Sequence, residues 1–175
     1  MFLEHFGVDN NTKSEEWKKK WYGDSEWVKN RTERIYNSMK KNGSFKESKP
    51  EKAILDFLRK EYVDVLYQHK DSKRYPFRCD YYIPKYDIFI EYNGFWTHGG
   101  HPFDKNSIED LVKSEQWKNS ERKSYNAAYK TWVIKDTLKR ETAQKNNLKY
   151  IELWYNDAFD FNGIKEKISK IAYNN

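Results

Sequence analysis

Asp80 and Glu91 stand in two short apolar runs, Phe77 to Ile83 and Tyr86 to Tyr92, joined at Pro84-Lys85. A buried charge is costly unless it is paired, so two acids in such runs need a reason. If the runs form a hairpin turning at Lys85-Tyr86, paired residue numbers sum to 171, because each step outward adds one residue to each arm. Ile83 then faces Ile88, Tyr81 faces Ile90 and Cys79 faces Tyr92 on one apolar face. The other face pairs Tyr82 with Phe89, Asp80 with Glu91 and Arg78 with Asn93. Opposed residues have Cβ atoms about 4.5 to 5.5 Å apart, and like charges there destabilise a sheet. A divalent cation with oxygen ligands, Mg²⁺ above all, would reconcile the pair, since it is commonly held by one or two carboxylates with water and phosphate oxygens. The pair is also explained without a metal if Asp80 bonds Arg78 or a lysine and Glu91 lies in water near the strand end.

Other chemistry-bearing residues lie around this hairpin. Glu51 could approach the Asp80 end as a third acid, or serve only as the third helical residue of the capping box Ser48-Lys-Pro-Glu51. His98 and His101 follow in the turn T-H-G-G-H-P, where a histidine can exchange protons near neutral pH, contact phosphate, or sit inert on the surface. Asp136, Lys139 and Arg140 share one helical face by their spacing. They form either a solvated intrahelical group or, turned toward the carboxylates, a binding point for phosphate.

The elements that must position these residues read as α-β-β-β-α-α-β-α. Ser48 to about Lys60 is a helix, Val63 to His69 a strand, and the two apolar runs are the next strands. Residues 107 to 129 and 131 to 146 read as helices, Leu148 to Trp154 as a strand and Ile164 to Tyr173 as a closing helix. This order predicts an α/β fold, a mixed β-sheet flanked by helices. Residues 1 to 47 read as a small basic helical segment, with candidate helices over Ser14 to Tyr22 and Ser25 to Lys41 and with Lys18, Lys19 and Lys20 between aromatic residues.

The chain of 175 residues is 18% aromatic and carries a net charge of +6. The charge is unevenly placed: residues 111 to 150 hold 10 basic against 4 acidic residues, whereas 51 to 110 hold 9 against 11. An acidic centre between basic flanks suits a polyanion held beside a metal, although a Lys-rich stretch is also what a solvated helix face looks like. One cysteine, Cys79, excludes an internal disulfide framework and a four-cysteine zinc site. Without an apolar run of about 18 residues or a signal-like start, the expectation is a soluble, cytoplasmic protein with no membrane partner.

An acid on the second strand and an acid on the third resemble the PD-(D/E)xK nucleases, and the block is more closely similar to their very short patch repair branch. The shared order is Asp80, Tyr81-Tyr82-Ile83, Pro84-Lys85-Tyr86, Ile88 to Ile90, Gly94-Phe95-Trp96 and His98. Glu51, Asp80, His98 and Asp136 also match the related EDxHD homing endonucleases of phage type. The similarity covers about residues 48 to 156, and the start F-G-V-D-N is similar to DNA-binding segments that accompany such enzymes. The resemblance implies a restriction-endonuclease-like core over 48 to 175, a DNA-binding arm over 1 to 47, and hydrolysis of phosphodiester bonds in double-stranded DNA with Mg²⁺, for which Mn²⁺ substitutes. Asp80 and Glu91, with the Tyr92 carbonyl, would hold the metal. His98 would move a proton, with Glu51 and Asp136 orienting it or a water. Phe95 and Trp96 match aromatic residues that wedge between bases, and Asn93, His101, Lys18, Lys19, Lys20 and Arg140 would contact DNA. The pattern departs from the family where Asn93 replaces the lysine of ExK, so Lys139 is the candidate substitute. A single centre suits nicking by a monomer or double-strand cleavage by a homodimer. The alternatives are a mismatch-nicking repair enzyme and a catalytically inert DNA-binding protein on the same fold.

Overall fold

The computed structural model describes residues 48–71 and 73–173 with two isolated positions before them, in a chain that divides into two compact units, Met1–Glu47 and Ser48–Asn175. The expected N-terminal helices and Lys18, Lys19 and Lys20 lie outside the described residues. The second unit starts with helix α1 (Lys49–Glu61), which begins as its S-x-x-E spacing predicts. The Ser48 hydroxyl accepts from the Glu51 amide at 3.3 Å, and the Glu51 carboxylate accepts from the Ser48 amide at 2.8 Å. Two of the helix's open N–H groups are satisfied there, and Pro50 occupies the first turn, where no donor is needed.

Strands β1 (Leu66–Asp71), β2 (Tyr75–Ile83) and β3 (Ile88–Asn93) follow as an antiparallel meander, and β4 (Lys149–Trp154) lies parallel to β3 at the sheet edge. A parallel pair needs a long crossover. Here α2 (Ile108–Lys118), α3 (Lys123–Tyr129), a π-helical segment (Lys130–Asp136) and α4 (Thr137–Lys145) supply it, and α5 (Phe161–Tyr173) closes the unit. The result is an α/β fold with a four-stranded mixed sheet. On one sheet face, Ile54, Leu55 and Leu58 of α1 and Ile164 and Ile168 of α5 pack on Tyr81, Ile83, Ile88, Ile90, Ile151 and Leu153. Ile54, Leu58, Ile164 and Ile168 are at most 1% exposed, and the burial of each stabilises the fold by on the order of 2 kcal/mol. On the opposite face Tyr75, Cys79 and Phe89 meet Ala143 of α4. Among the described residues no helix is long and apolar enough to cross a membrane.

Several boundaries differ from the sequence reading for local reasons. The first strand starts at Leu66 instead of Val63, which is 74% exposed and precedes Asp64 in a left-handed conformation. Pro84–Tyr86 forms a 3₁₀ turn closed by Asp87 at φ 54°, so the third strand starts at Ile88. Arg74 fixes that turn through a two-pronged bond to Asp87 at 2.7 and 2.9 Å. The expected helix over 107 to 129 is two helices, because the Asn126 amide donates to the Lys118 and Ser120 carbonyls and ends α2.

Candidate active site

The hairpin register holds for Tyr81↔Ile90, Tyr82↔Phe89 and Ile83↔Ile88, and the ladder then stops one pair short of Asp80 and Glu91. In place of a backbone carbonyl, the Asp80 carboxylate accepts the Tyr92 amide at 2.8 Å, and its other oxygen accepts from the Gln68 side chain at 3.0 Å. Gln68, on β1, reaches it from a left-handed backbone at φ 54°. This side-chain bond takes the place of a regular ladder bond at this point. The expected pairing of Cys79 with Tyr92 on the apolar face is not made: Cys79 is fully buried in the opposite cluster, beside Tyr75 and Phe89. Asp80 lies within electrostatic reach of both Lys139 and Glu51.

Glu91 projects under α4 and is 2% exposed. Its two carboxylate oxygens accept from the Tyr75 hydroxyl at 2.8 Å and from the Lys139 ammonium at 2.7 Å. Burial, and next the charge of Asp80, push its pKa up to about 8, against the opposing pull of Lys139 and Tyr75. Burial also raises the pKa of Asp80, with Glu51 adding to it, while the Tyr92 amide, Lys139 and Gln68 pull it back. Burial alone would lower the pKa of Lys139, but Glu91, Asp80 and Asp136 outweigh it and hold the ammonium above its ordinary value. One cation is thus shared by two carboxylates.

The π-helical segment and α4 deliver a row of side chains to this face. Asp136, 2% exposed at the end of the π segment, bonds His98 Nδ1 at 2.7 Å. A carboxylate accepts only, so Nδ1 carries the proton and Nε2 is left as the ring's other functional nitrogen. One helical turn on, Lys139 meets Glu91. Arg140 bonds Glu152 at 3.0 Å, and the same Glu152 oxygen accepts from the Asn93 amide at 3.0 Å. Glu152 is the parallel-strand partner of Glu91, and its pKa is raised first by burial.

The other expected site residues have partners within the protein. Asn93 is 3% exposed, with its amide donated to Glu152. Arg140 gives its guanidinium to Glu152 and to Thr137. His101 is exposed, bonds buried Asp110 at 2.9 Å and lies edge-on to Trp132. Glu51 holds the cap of α1, and its backbone carbonyl accepts from the Tyr81 hydroxyl. Phe95 and Trp96 are 61% and 46% exposed, the first edge-on to Tyr155 and the second to Tyr125. Gln68, Tyr75 and Glu152 escaped the sequence reading. Tyr75 lies two residues before the apolar run, Gln68 depends on a backbone conformation no composition signals, and Glu152 has the alternating look of a half-buried strand.

The acids fit a hard cation in donor type. Asp80 and Glu91 offer oxygen only, and the Tyr92 carbonyl lies on the same side of its strand as the amide that meets Asp80. The set is small: among the described residues no group of three or more His, Cys, Asp or Glu side chains is arranged to hold a metal ion. A scan against family models and searches of curated proteins and of solved structures find no match for the chain. Fold and site together define an α/β protein with a buried carboxylate–lysine centre beside an aspartate-oriented histidine.

Proposed function

We propose that the chain is a Mg²⁺-dependent DNA endonuclease of homing type, with a restriction-endonuclease-like core, that hydrolyses phosphodiester bonds in double-stranded DNA. The observation that carries this reading is the Lys139 ammonium 2.7 Å from Glu91, with Asp80 adjacent. It places a cation beside the acid pair from α4, in compensation for Asn93 at the position where the resembling nucleases carry lysine. Asp80 and Glu91, with the Tyr92 carbonyl, would hold Mg²⁺, which supplies positive charge to the phosphoryl oxygens. Lys139 stabilises charge that develops at the reacting phosphate. His98, fixed through Nδ1 by Asp136, exchanges a proton at Nε2 with the attacking water or the leaving oxygen. The exposed Phe95 and Trp96 face DNA as apolar contacts.

The test is cleavage of plasmid DNA with Mg²⁺ or Mn²⁺ by the wild type, Asp80→Asn and Lys139→Met. Cutting or nicking by the wild type that is lost in both variants supports the reading. Binding without cleavage under either ion defeats it and leaves an inert DNA-binding protein.

A further inference from the structure

The loop that carries His98 is anchored by groups outside the carboxylate centre. Directly after His98, Gly99 adopts φ +72°, and a Cβ there would lie 2.2 Å from the Trp132 ring, so the loop backbone rests against the indole face. The Gly99 carbonyl accepts from the Lys113 ammonium at 2.8 Å. Lys113 comes from α2, and its ammonium lies 5.0 Å from the Trp117 ring centre and 4.9 Å from that of Trp132. Trp132 also donates its indole N–H to the His101 carbonyl at 2.6 Å. Asp110, likewise on α2, holds the His101 ring and the Asp104 amide.

Trp132 and Asp136 belong to the same π-helical segment, four residues apart, and both are at most 2% exposed. The loop is therefore fixed to that segment at two points, Gly99 on Trp132 and His98 on Asp136. Lys113 ties both to α2. Two bonds define a ring's direction better than one: Asp136 fixes Nδ1, and the Gly99 anchor fixes the backbone from which the ring extends. A cation enclosed by two indoles holds its position because the attraction to each ring face grows where water is displaced.

We propose that Lys113 is a positioning residue for His98, acting through Gly99 and without touching the reacting groups. The proposal rests on the assignment of proton transfer to His98. Its structural half is testable without catalysis.

The experiment compares the full-length wild type with Lys113→Met, which keeps the apolar stem, Lys113→Gln, which keeps a donor, and Lys113→Arg, which keeps the charge. The first readout is the ¹⁵N–¹H correlation of the His98 ring, recorded without DNA or metal, where the wild type should show one Nδ1–H tautomer. Lys113→Met, or Lys113→Gln should Met not fold, should show tautomer exchange or a displaced ring signal, and Lys113→Arg should return toward the wild type. The second readout is DNA cleavage, where kcat should fall about tenfold at little-changed KM, within the range that a misplacement of about 1 Å produces. Ring signals of Lys113→Met and Lys113→Gln that superimpose on the wild type, or a loss confined to KM, would overturn the proposal. A chain that cuts no DNA yet shows the ring displaced by Lys113→Met would defeat the nuclease reading and leave the positioning role standing.

Discussion

Glu91 makes the stability of the fold depend on pH in a direction opposite to that of an ordinary surface acid. Its pKa rises from 4.5 to about 8 on folding, so between those values the folded state holds a proton that the unfolded chain has released. The stability tied to that proton is fully present below pH 4.5 and is lost as pH rises through about 8. Asp80, also raised by burial, acts in the same direction. His69, whose pKa burial lowers from 6.5, works against it only at lower pH, so the region from about 6.5 to 8 isolates the carboxylates. Across that window a single group with these two pKa values loses roughly 2 kcal/mol of stability. Urea unfolding at several pH values measures it through the midpoint at constant slope. The wild type should weaken from pH 6.5 to 8, and Glu91→Gln should weaken less, keeping only the contribution of the other raised carboxylates, Asp80 and Glu152. Saturating Mg²⁺ should flatten the wild-type curve alone, because metal binding favours the ionised carboxylates. Parallel curves for wild type and Glu91→Gln would refute the assignment of the raised pKa to this residue.

Lys139→Met should lower cleavage by about a hundredfold or more, the scale of losing one charge-stabilising group at a reacting centre. Its effect on stability at pH 6 should be only about 1 kcal/mol, because Glu91 stays protonated without its partner; urea unfolding separates the two effects. Asp136→Asn should free the His98 ring to change tautomer and reduce kcat about a hundredfold or more, with the ring's nitrogen spectrum as the check. Ser48→Ala should cost about 1 kcal/mol of stability through the lost cap of α1, leaving the Glu91 pH dependence unchanged.

What could be read from the sequence was what period and chain geometry dictate. The hairpin register followed from counting residues about the turn, and Tyr81↔Ile90, Tyr82↔Phe89 and Ile83↔Ile88 obey it. The cap of α1 followed from S-x-x-E. The side-chain bonds of Asp80 did not, because a side chain that replaces a backbone partner leaves no mark in the apolar pattern. The inward turn of Asp136, Lys139 and Arg140 was one of two alternatives that their spacing left open. A helix face bearing charges reads as solvated, and only the buried acids opposite, Glu91 and Glu152, make its burial tolerable. The seven-residue π-helical stretch from Lys130 to Asp136 also has no compositional sign, and it is the element that carries both Trp132 and Asp136 to the histidine loop.

The charges on this face do not balance. Asp80, Glu91, Asp136 and Glu152 stand against Lys139 and Arg140, with His98 already engaged by Asp136. Arg140 answers Glu152, which leaves Lys139 to serve both Asp80 and Glu91. Burial first, and the charge of Asp80 next, lead Glu91 to hold a proton, with its pKa pushed up to about 8. A phosphodiester brought to this face adds negative charge to a centre already short of cations, and protonating one acid cannot neutralise both it and the phosphate. A divalent cation held by Asp80 and Glu91 would, because its charge would oppose all three groups together. The raised pKa of Glu91, set first by burial and next by Asp80, and the proposed metal dependence therefore meet at one centre, where Asn93 leaves the sheet without a lysine and α4 returns only one.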